Sequence, residues 1–191
     1  MSNEFVLRPG LCCQLESAFE RNGYTVAEVN ELTKGNTLGE FLKVLRGNAE
    51  IKAVEHLIDC DSPPVIPSGY DWTVEEHRKG GQFRWDQSKV SLYLSKQQKG
   101  DQYIGGDNLR KELKGKKVLN ANVLDYLLKH QYLIPEEWKG KAIFFWGTIY
   151  RRAGGGLNVR YLNWDGAGWR WYCGWLGSVW DEGSPAALLQ D

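Results

Sequence analysis

The stretch "YLNWDGAGWRWYCGWLGSVWDEGSPAALL", Tyr161 to Leu189, decides how this chain is read. It holds five of the nine tryptophans: Trp164, Trp169, Trp171, Trp175 and Trp180. Small and polar residues fill the gaps, as in Asp165-Gly166-Ala167-Gly168, Tyr172-Cys173-Gly174 and Gly177-Ser178-Val179. Leu157 to Trp164 alternates, with Leu157, Val159, Tyr161 and Asn163 on one face and Asn158, Arg160, Leu162 and Trp164 on the other. Gly168 to Trp175 is a second strand, with Trp169, Trp171 and Cys173 on one face and Arg170, Tyr172 and Gly174 on the other. Indoles bury large areas and tie strands together, so the rings are expected to form a core. Trp and Tyr also dominate binding hot spots, which makes a recognition surface the alternative. With the rings as frame, the residues between them point outward or sit in loops, and no packing rule fixes their identity.

Upstream, Ile143 to Tyr150 is apolar, aromatic and β-branched, and "RRAGGG" after it reads as a hairpin turn. Asn120 or Asn122 can cap a helix whose Val123, Leu124, Leu127 and Leu128 form an apolar stripe. Asp107 can cap another helix through Leu113, and Pro135 starts one more turn. Lys89 to Leu94, Gln82 to Trp85 and Ala53 to Cys60 read as short strands, and "DSPPVIPSG" is a proline-rich break that could be a linker. Residues 11–48 read as three helical pieces. Thr25 and Glu28 make a capping-box pattern ahead of the second, and Leu38, Phe41, Leu42 and Leu45 share a face of the third. Helices first and strands last give an α+β layout with a twisted antiparallel sheet.

Lysine plus arginine equals aspartate plus glutamate, at 24 each, so no basic surface of the kind a general nucleic-acid binder needs is expected. No stretch is apolar for long enough to span a bilayer, and "MSNEFVLRPG" does not read as a signal peptide, so the default expectation is a cytoplasmic protein. Cys12, Cys13, Cys60 and Cys173 form no CxxC pair, and His56, His77 and His130 form no metal motif. "AGGG" at 153–156 lacks phosphate-loop spacing. Glu75-Glu76 and Glu136-Glu137 read as acids at a turn or helix start. Cys173 has no histidine in the last 61 residues to activate it. Asp165-Gly166 with Asp181-Glu182 shows no EF-hand spacing, so neither a catalytic nor a metal residue is expected.

Leu162-Asn163-Trp164, Trp169-Arg170-Trp171, Trp175-Leu176, Trp180 and Pro185-Ala186-Ala187 together resemble the variable region of proteins diversified by diversity-generating retroelements. "IFFWGTIYRR", "VLNANVLDYLL" and "IPEEWKGK" are similar to the same group's framework, so the likeness spans residues 53–191 loosely and the last 30 more closely. The resemblance implies a C-type-lectin-like fold, a twisted antiparallel sheet with two main helices. It also implies a variable region rewritten by an error-prone reverse transcriptase at template adenines, and a ligand-binding protein without enzyme activity or cofactor. The tryptophan codon has no adenine and is spared, whereas asparagine codons scatter to residues such as Tyr, Ser, Gly, Cys and Val. Glu182 needs another template codon. "NWDG" at 163–166 only partly echoes the calcium motif of sugar-binding lectins, so neither calcium nor sugar binding is carried over.

The expected organisation is a helical unit over residues 1–50, able to mediate oligomerisation, and a C-type-lectin-like domain over 51–191 with a variable region about 160–184. The expected ligand-binding residues are Tyr161, Asn163, Asp165, Ala167, Arg170, Tyr172, Cys173, Gly174, Ser178, Val179, Asp181, Glu182 and Ser184. Tyr161 and Tyr172 would give rigid aromatic contact, Arg170 a charged anchor, and Asn163 and Ser178 adaptable hydrogen bonds. The expected ligand is a protein or surface epitope rather than a small molecule, with no nucleic acid and no membrane. The tryptophans, Trp164 and Trp175 among them, would hold the frame. One rival is a constant carbohydrate-binding module stacking sugars on exposed tryptophans. A second is an enzyme of a sulfatase-modifying type, which shares the lectin-like fold only by analogy.

Overall fold

The computed structural model describes residues 7–68 and 71–190. The chain divides into two compact units, Met1–Val54 and Glu55–Asp191. The proline-rich stretch is therefore not the joint: it lies inside the second unit, where Tyr150 Oη donates to the Val65 carbonyl at 3.0 Å.

The first unit holds α1 (Pro9–Arg21), α2 (Val26–Leu32) and α3 (Thr37–Leu45). Proline at the first position of α1 loses no hydrogen bond there. The capping box of α2 forms as its sequence requires: the Glu28 amide donates to Thr25 Oγ1 and the Thr25 amide to the Glu28 carboxylate. No residue of these helices is buried, and Leu11, Leu15, Phe41, Leu42 and Leu45 all stay exposed.

The second unit is α+β. Its strands are β1 (Leu57–Asp59), β2 (Thr73–His77), β3 (Gln82–Arg84), β4 (Val90–Tyr93), β5 (Ile104–Gly105), β6 (Ile143–Arg151), β7 (Leu157–Trp164), β8 (Trp169–Trp175), β9 (Val179–Trp180) and β10 (Ala186–Leu189). Its helices are α4 (Gly106–Glu112) and α5 (Ala121–Lys129). The main sheet runs β4-β10-β6-β7-β8, with β2 also paired to β6, and two small sheets join β1 to β3 and β5 to β9. The pairing is antiparallel except between β10 and β6, where Ala186 lies parallel beside Phe144. The wholly antiparallel sheet expected from the strand pattern is thus corrected, because the last strand enters between β4 and β6 instead of extending the meander.

Each face of the sheet carries a core. Ile143, Phe145, Leu162, Trp169 and Ala187 pack with Val123, Leu124 and Leu127 of α5. On the other face Phe144, Trp146, Ile149, Val159 and Ala186 pack with Leu109 and Leu113 at α4 and with Leu176 and Trp180. Alternating side chains of β6 and β7 thus feed two layers, as the period of two demands. Asn120 caps α5 through a 3.2 Å bond from the Asn122 amide. Asp107 does not cap α4: Gly105 holds that position and Asp107 sits in the first turn, where its charge favours the helix dipole.

Glu75 and Glu76 lie on β2, not at a turn or helix start. Arg151 on the neighbouring strand pairs with Glu75 at 2.7 Å, and Glu76 receives Arg78 and Arg110, each at 2.8 Å. Arg78, two residues on, and the distant Arg110 and Arg151 together make this acid pair tolerable on a strand. Of the segment Ala53 to Cys60, only Leu57–Asp59 is strand, since its one partner is the three-residue β3.

Candidate functional site

β7 and β8 form a hairpin whose register pairs Arg160 with Cys173, Tyr161 with Tyr172, Leu162 with Trp171 and Asn163 with Arg170. Asp165 closes the turn: its Oδ1 accepts from the Ala167 amide at 2.9 Å and the Gly168 amide at 2.8 Å, and its Oδ2 accepts from Arg170 Nε at 3.1 Å. Those amides, then Arg170, hold its carboxyl below the usual range. Gly166 takes φ +94° within this turn, a conformation that suits glycine. β8 is the last strand in the sheet order, so among the described residues no strand pairs with its outer edge. The turn after β9 is fixed from beneath, where buried Gln98 donates to the carbonyls of Asp181 at 2.8 Å and Ser184 at 3.0 Å.

None of the thirteen expected ligand-binding residues is buried. Asp165, Ala167, Arg170, Tyr172, Ser178, Val179, Asp181 and Glu182 are exposed, and Tyr161, Asn163, Cys173, Gly174 and Ser184 are half-buried. The half-buried positions carry structural duties. Tyr161 leans into the second core, its ring 4.6 Å from Phe144 and 5.6 Å from Tyr172, so it supports the exposed Tyr172. The Asn163 amide is committed to the Lys141 carbonyl at 3.2 Å, and Ser184 Oγ to Asp181 at 3.0 Å. Gly174 is set by packing, since a Cβ there would lie 2.8 Å from Phe144 Cε1. Burial pushes the Cys173 thiol pKa up, and Arg160 and Arg152 only partly offset it.

The tryptophans divide. Trp169 and Trp180 are buried, and half-buried Trp164 stands edge-on to Trp169 at 5.7 Å with Lys139 Nζ 4.1 Å from its ring centre. Trp171 and Trp175 are 38% and 56% exposed, which corrects the expectation that the whole set is frame. Trp171 lies on the same sheet face as Trp169, but there α5 presents Asp125 rather than a leucine. Asp125 holds buried Arg160, whose guanidinium lies 4.5 Å from the Trp171 ring centre. The indole therefore has a cation on its inner face and solvent outside. Trp175 lies close over Gly177 and Gly156, where a side chain at Gly177 would collide with its ring.

A cleft of about 300 Å³ opens beside these residues, lined by Ser68, Trp72, Arg152, Tyr161, Trp171, Tyr172 and Cys173. The Arg152 guanidinium lies 4.8 Å from the Trp72 ring centre. Aromatic walls, an arginine and no carboxylate among the described lining residues suit noncovalent recognition. Trp72, Arg152, Trp171 and Trp175 are additions to the sequence-derived set. Glycines on both sides of Trp175 signal a ring laid on backbone, whereas nothing local in the sequence ties residues 72 and 152 to β8. Among the described residues no group of three or more His, Cys, Asp or Glu side chains is placed to hold a metal ion. Compared with known proteins, the chain matches no family model, no curated protein and no solved structure.

Proposed function

We propose that this chain is a ligand-binding display protein with a C-type-lectin-like domain, whose recognition surface is diversified by adenine-directed retroelement mutagenesis. The observation that carries the reading is the partition along residues 161–187. All thirteen positions assigned to recognition are exposed or half-buried, while Leu162, Trp169, Leu176, Trp180, Ala186 and Ala187, which lie between and beyond them, are buried. The α+β architecture with two helices against a twisted sheet is compatible with the lectin-like fold. Arg170 and Tyr172 are displayed on the edge strand, Val179 on β9, and Ser178 and Glu182 in the turns around it, on a frame that does not depend on their identity. Trp171 and Trp175 join this surface as constant aromatic contacts, and the ligand is a protein or surface epitope large enough to span them. These proteins act by binding, and no catalytic role is assigned. The test is the DNA beside the gene. A near-copy of codons 160–187, differing mainly at adenines and flanked by a reverse-transcriptase gene, is expected; a locus with neither defeats the diversification reading.

A second reading draws support from the exposure of Trp171 and Trp175: a constant carbohydrate-binding module that stacks sugar rings on the two indoles. It requires glycans to quench tryptophan fluorescence and the quenching to vanish in a Trp171→Ala/Trp175→Ala variant. Fluorescence unmoved across a glycan array rejects it.

A further inference from the structure

A second cavity, of about 430 Å³, shares no lining residue with the β8 surface. It is lined by Cys60, Arg78, Lys79, Gly80, Phe83, Lys116, Lys117, Val118, Leu119, Asn120 and Leu189. Four of these are cations, and no carboxylate stands among the described lining residues. The floor is apolar, from Cys60, Phe83, Val118, Leu119 and Leu189. Two acids near the cavity among the described residues are engaged, one of them with Arg78, itself one of the four cations. Asp61 accepts from the Gly80 and Gly81 amides at 3.0 and 2.8 Å, and Glu76 holds Arg78 and Arg110, each at 2.8 Å.

The walls are held by backbone. The Leu119 amide donates to the Ala187 carbonyl at 2.9 Å and the Leu189 amide to the Lys117 carbonyl at 2.8 Å, which lays residues 117–119 along β10. Buried Asn120 ties two further segments together, donating through Nδ2 to the carbonyls of Cys60 at 2.8 Å and Arg78 at 3.0 Å. Arg78 Nη1 reaches the Leu113 carbonyl at 3.0 Å, so Arg78 fixes the lysine-bearing loop. Lys116 lies over the Tyr93 ring, 4.5 Å from its centre. Lys79 and Lys117 are exposed at the rim.

We propose that this cavity binds a small molecule that carries a phosphate on an apolar or aromatic body. Its volume falls in the range of small-molecule sites. Lysines in the wall and rim, with no carboxylate among the described lining residues, favour an anion, and lysine ammonium groups bind phosphate as point charges. The apolar floor takes the body of the ligand, so phosphate alone binds poorly. A free metabolite and a phosphomonoester lipid headgroup share this chemistry.

The test titrates the full chain with 1-naphthyl phosphate, inorganic phosphate and 1-naphthol by calorimetry, beside a Lys79→Gln/Lys117→Gln variant and an Arg170→Gln variant. The expected result is that 1-naphthyl phosphate binds tighter than either fragment. Affinity should fall by about tenfold for each lysine removed, weaken with salt, and remain unchanged in Arg170→Gln. Unchanged melting of the lysine variant by circular dichroism shows that it is folded. Co-sedimentation with phosphatidylcholine vesicles containing phosphatidic acid, competed by 1-naphthyl phosphate, supports the site with a lipid as source; binding of 1-naphthyl phosphate without co-sedimentation supports it with a soluble source. Equal affinity for 1-naphthyl phosphate and either fragment, no binding, or affinity unmoved in the lysine variant overturns the proposal.

Discussion

Arg160 on β7 and Asp125 on α5 form a two-pronged pair beneath the recognition surface, Nη1 to Oδ2 at 3.0 Å and Nη2 to Oδ1 at 2.6 Å. Arg160 is 3% exposed. Burial opposes its charge, and the Asp125 carboxylate more than offsets this, so its pKa still rises. Removing one partner strands the other charge out of water. Asp125→Ala should therefore lower unfolding stability by about 3–5 kcal/mol, read by urea denaturation. A Asp125→Leu/Arg160→Met double variant should recover most of that loss, because no unpaired charge remains. A double variant as unstable as the single one contradicts this account of the pair.

The division between frame and display predicts two classes of substitution. Trp169→Ala and Trp180→Ala should each cost about 3–5 kcal/mol, as buried rings do. Arg170→Ala and Tyr172→Ala should stay within about 0.5 kcal/mol, as exposed positions do, and change ligand binding instead. Trp175→Ala belongs with the second class because its ring is more than half exposed. Denaturation midpoints measured on all five variants check the division, and equal losses in both classes refute it.

Gly174 is half-buried, and a side chain there would point into Phe144 and Trp180 rather than to solvent. A methyl group there meets Phe144 Cε1 at 2.8 Å, whereas one at Gly154 meets nothing within 4 Å. Gly174→Ala should lower stability by about 1–3 kcal/mol, the range for overpacking, and Gly154→Ala should not. Thermal melts of the two variants decide. A template that varied codon 174 freely would also conflict with this packing.

Acid should loosen the β7–β8 turn. The amides of Ala167 and Gly168, then Arg170, hold the Asp165 carboxyl below its ordinary pKa. Glu76 follows the same direction: burial raises it, and Arg78 and Arg110 outweigh that. A carboxyl whose folded pKa lies below its unfolded value gives stability that is complete above about pH 4 and is lost as pH falls through the folded value. Asp165→Asn should thus bring the urea midpoint of the variant closer to that of the parent chain as pH drops from neutral toward 2. A gap between the two that does not change with pH would rule out this role for the charge.

Local patterning determined much of this molecule. The period of two in Leu157 to Trp164 and in Trp169 to Trp175 fixes which side chains share a face, and the observed register keeps that assignment. Thr25 and Asn120 cap α2 and α5 as their positions require, because a cap depends only on residues two or three places away. The outward placement of Arg170, Tyr172, Ser178 and Val179 was legible for the same reason. What covers each face was not legible, because a strand's period says nothing about which distant element lands on it. Trp169 is buried by α5, whereas Trp171, two residues on and on the same face, meets the Arg160–Asp125 pair and then water. Glu75-Glu76, expected at a turn or helix start, lies on a strand because residues 73–77 pair with the distant β6, where Arg151 meets Glu75. The clefts at Trp72 and Arg152 and at Lys79 and Lys117 join segments tens of residues apart. Tertiary structure alone brings such segments together, because the contacts that hold them are made only once the two cores have formed.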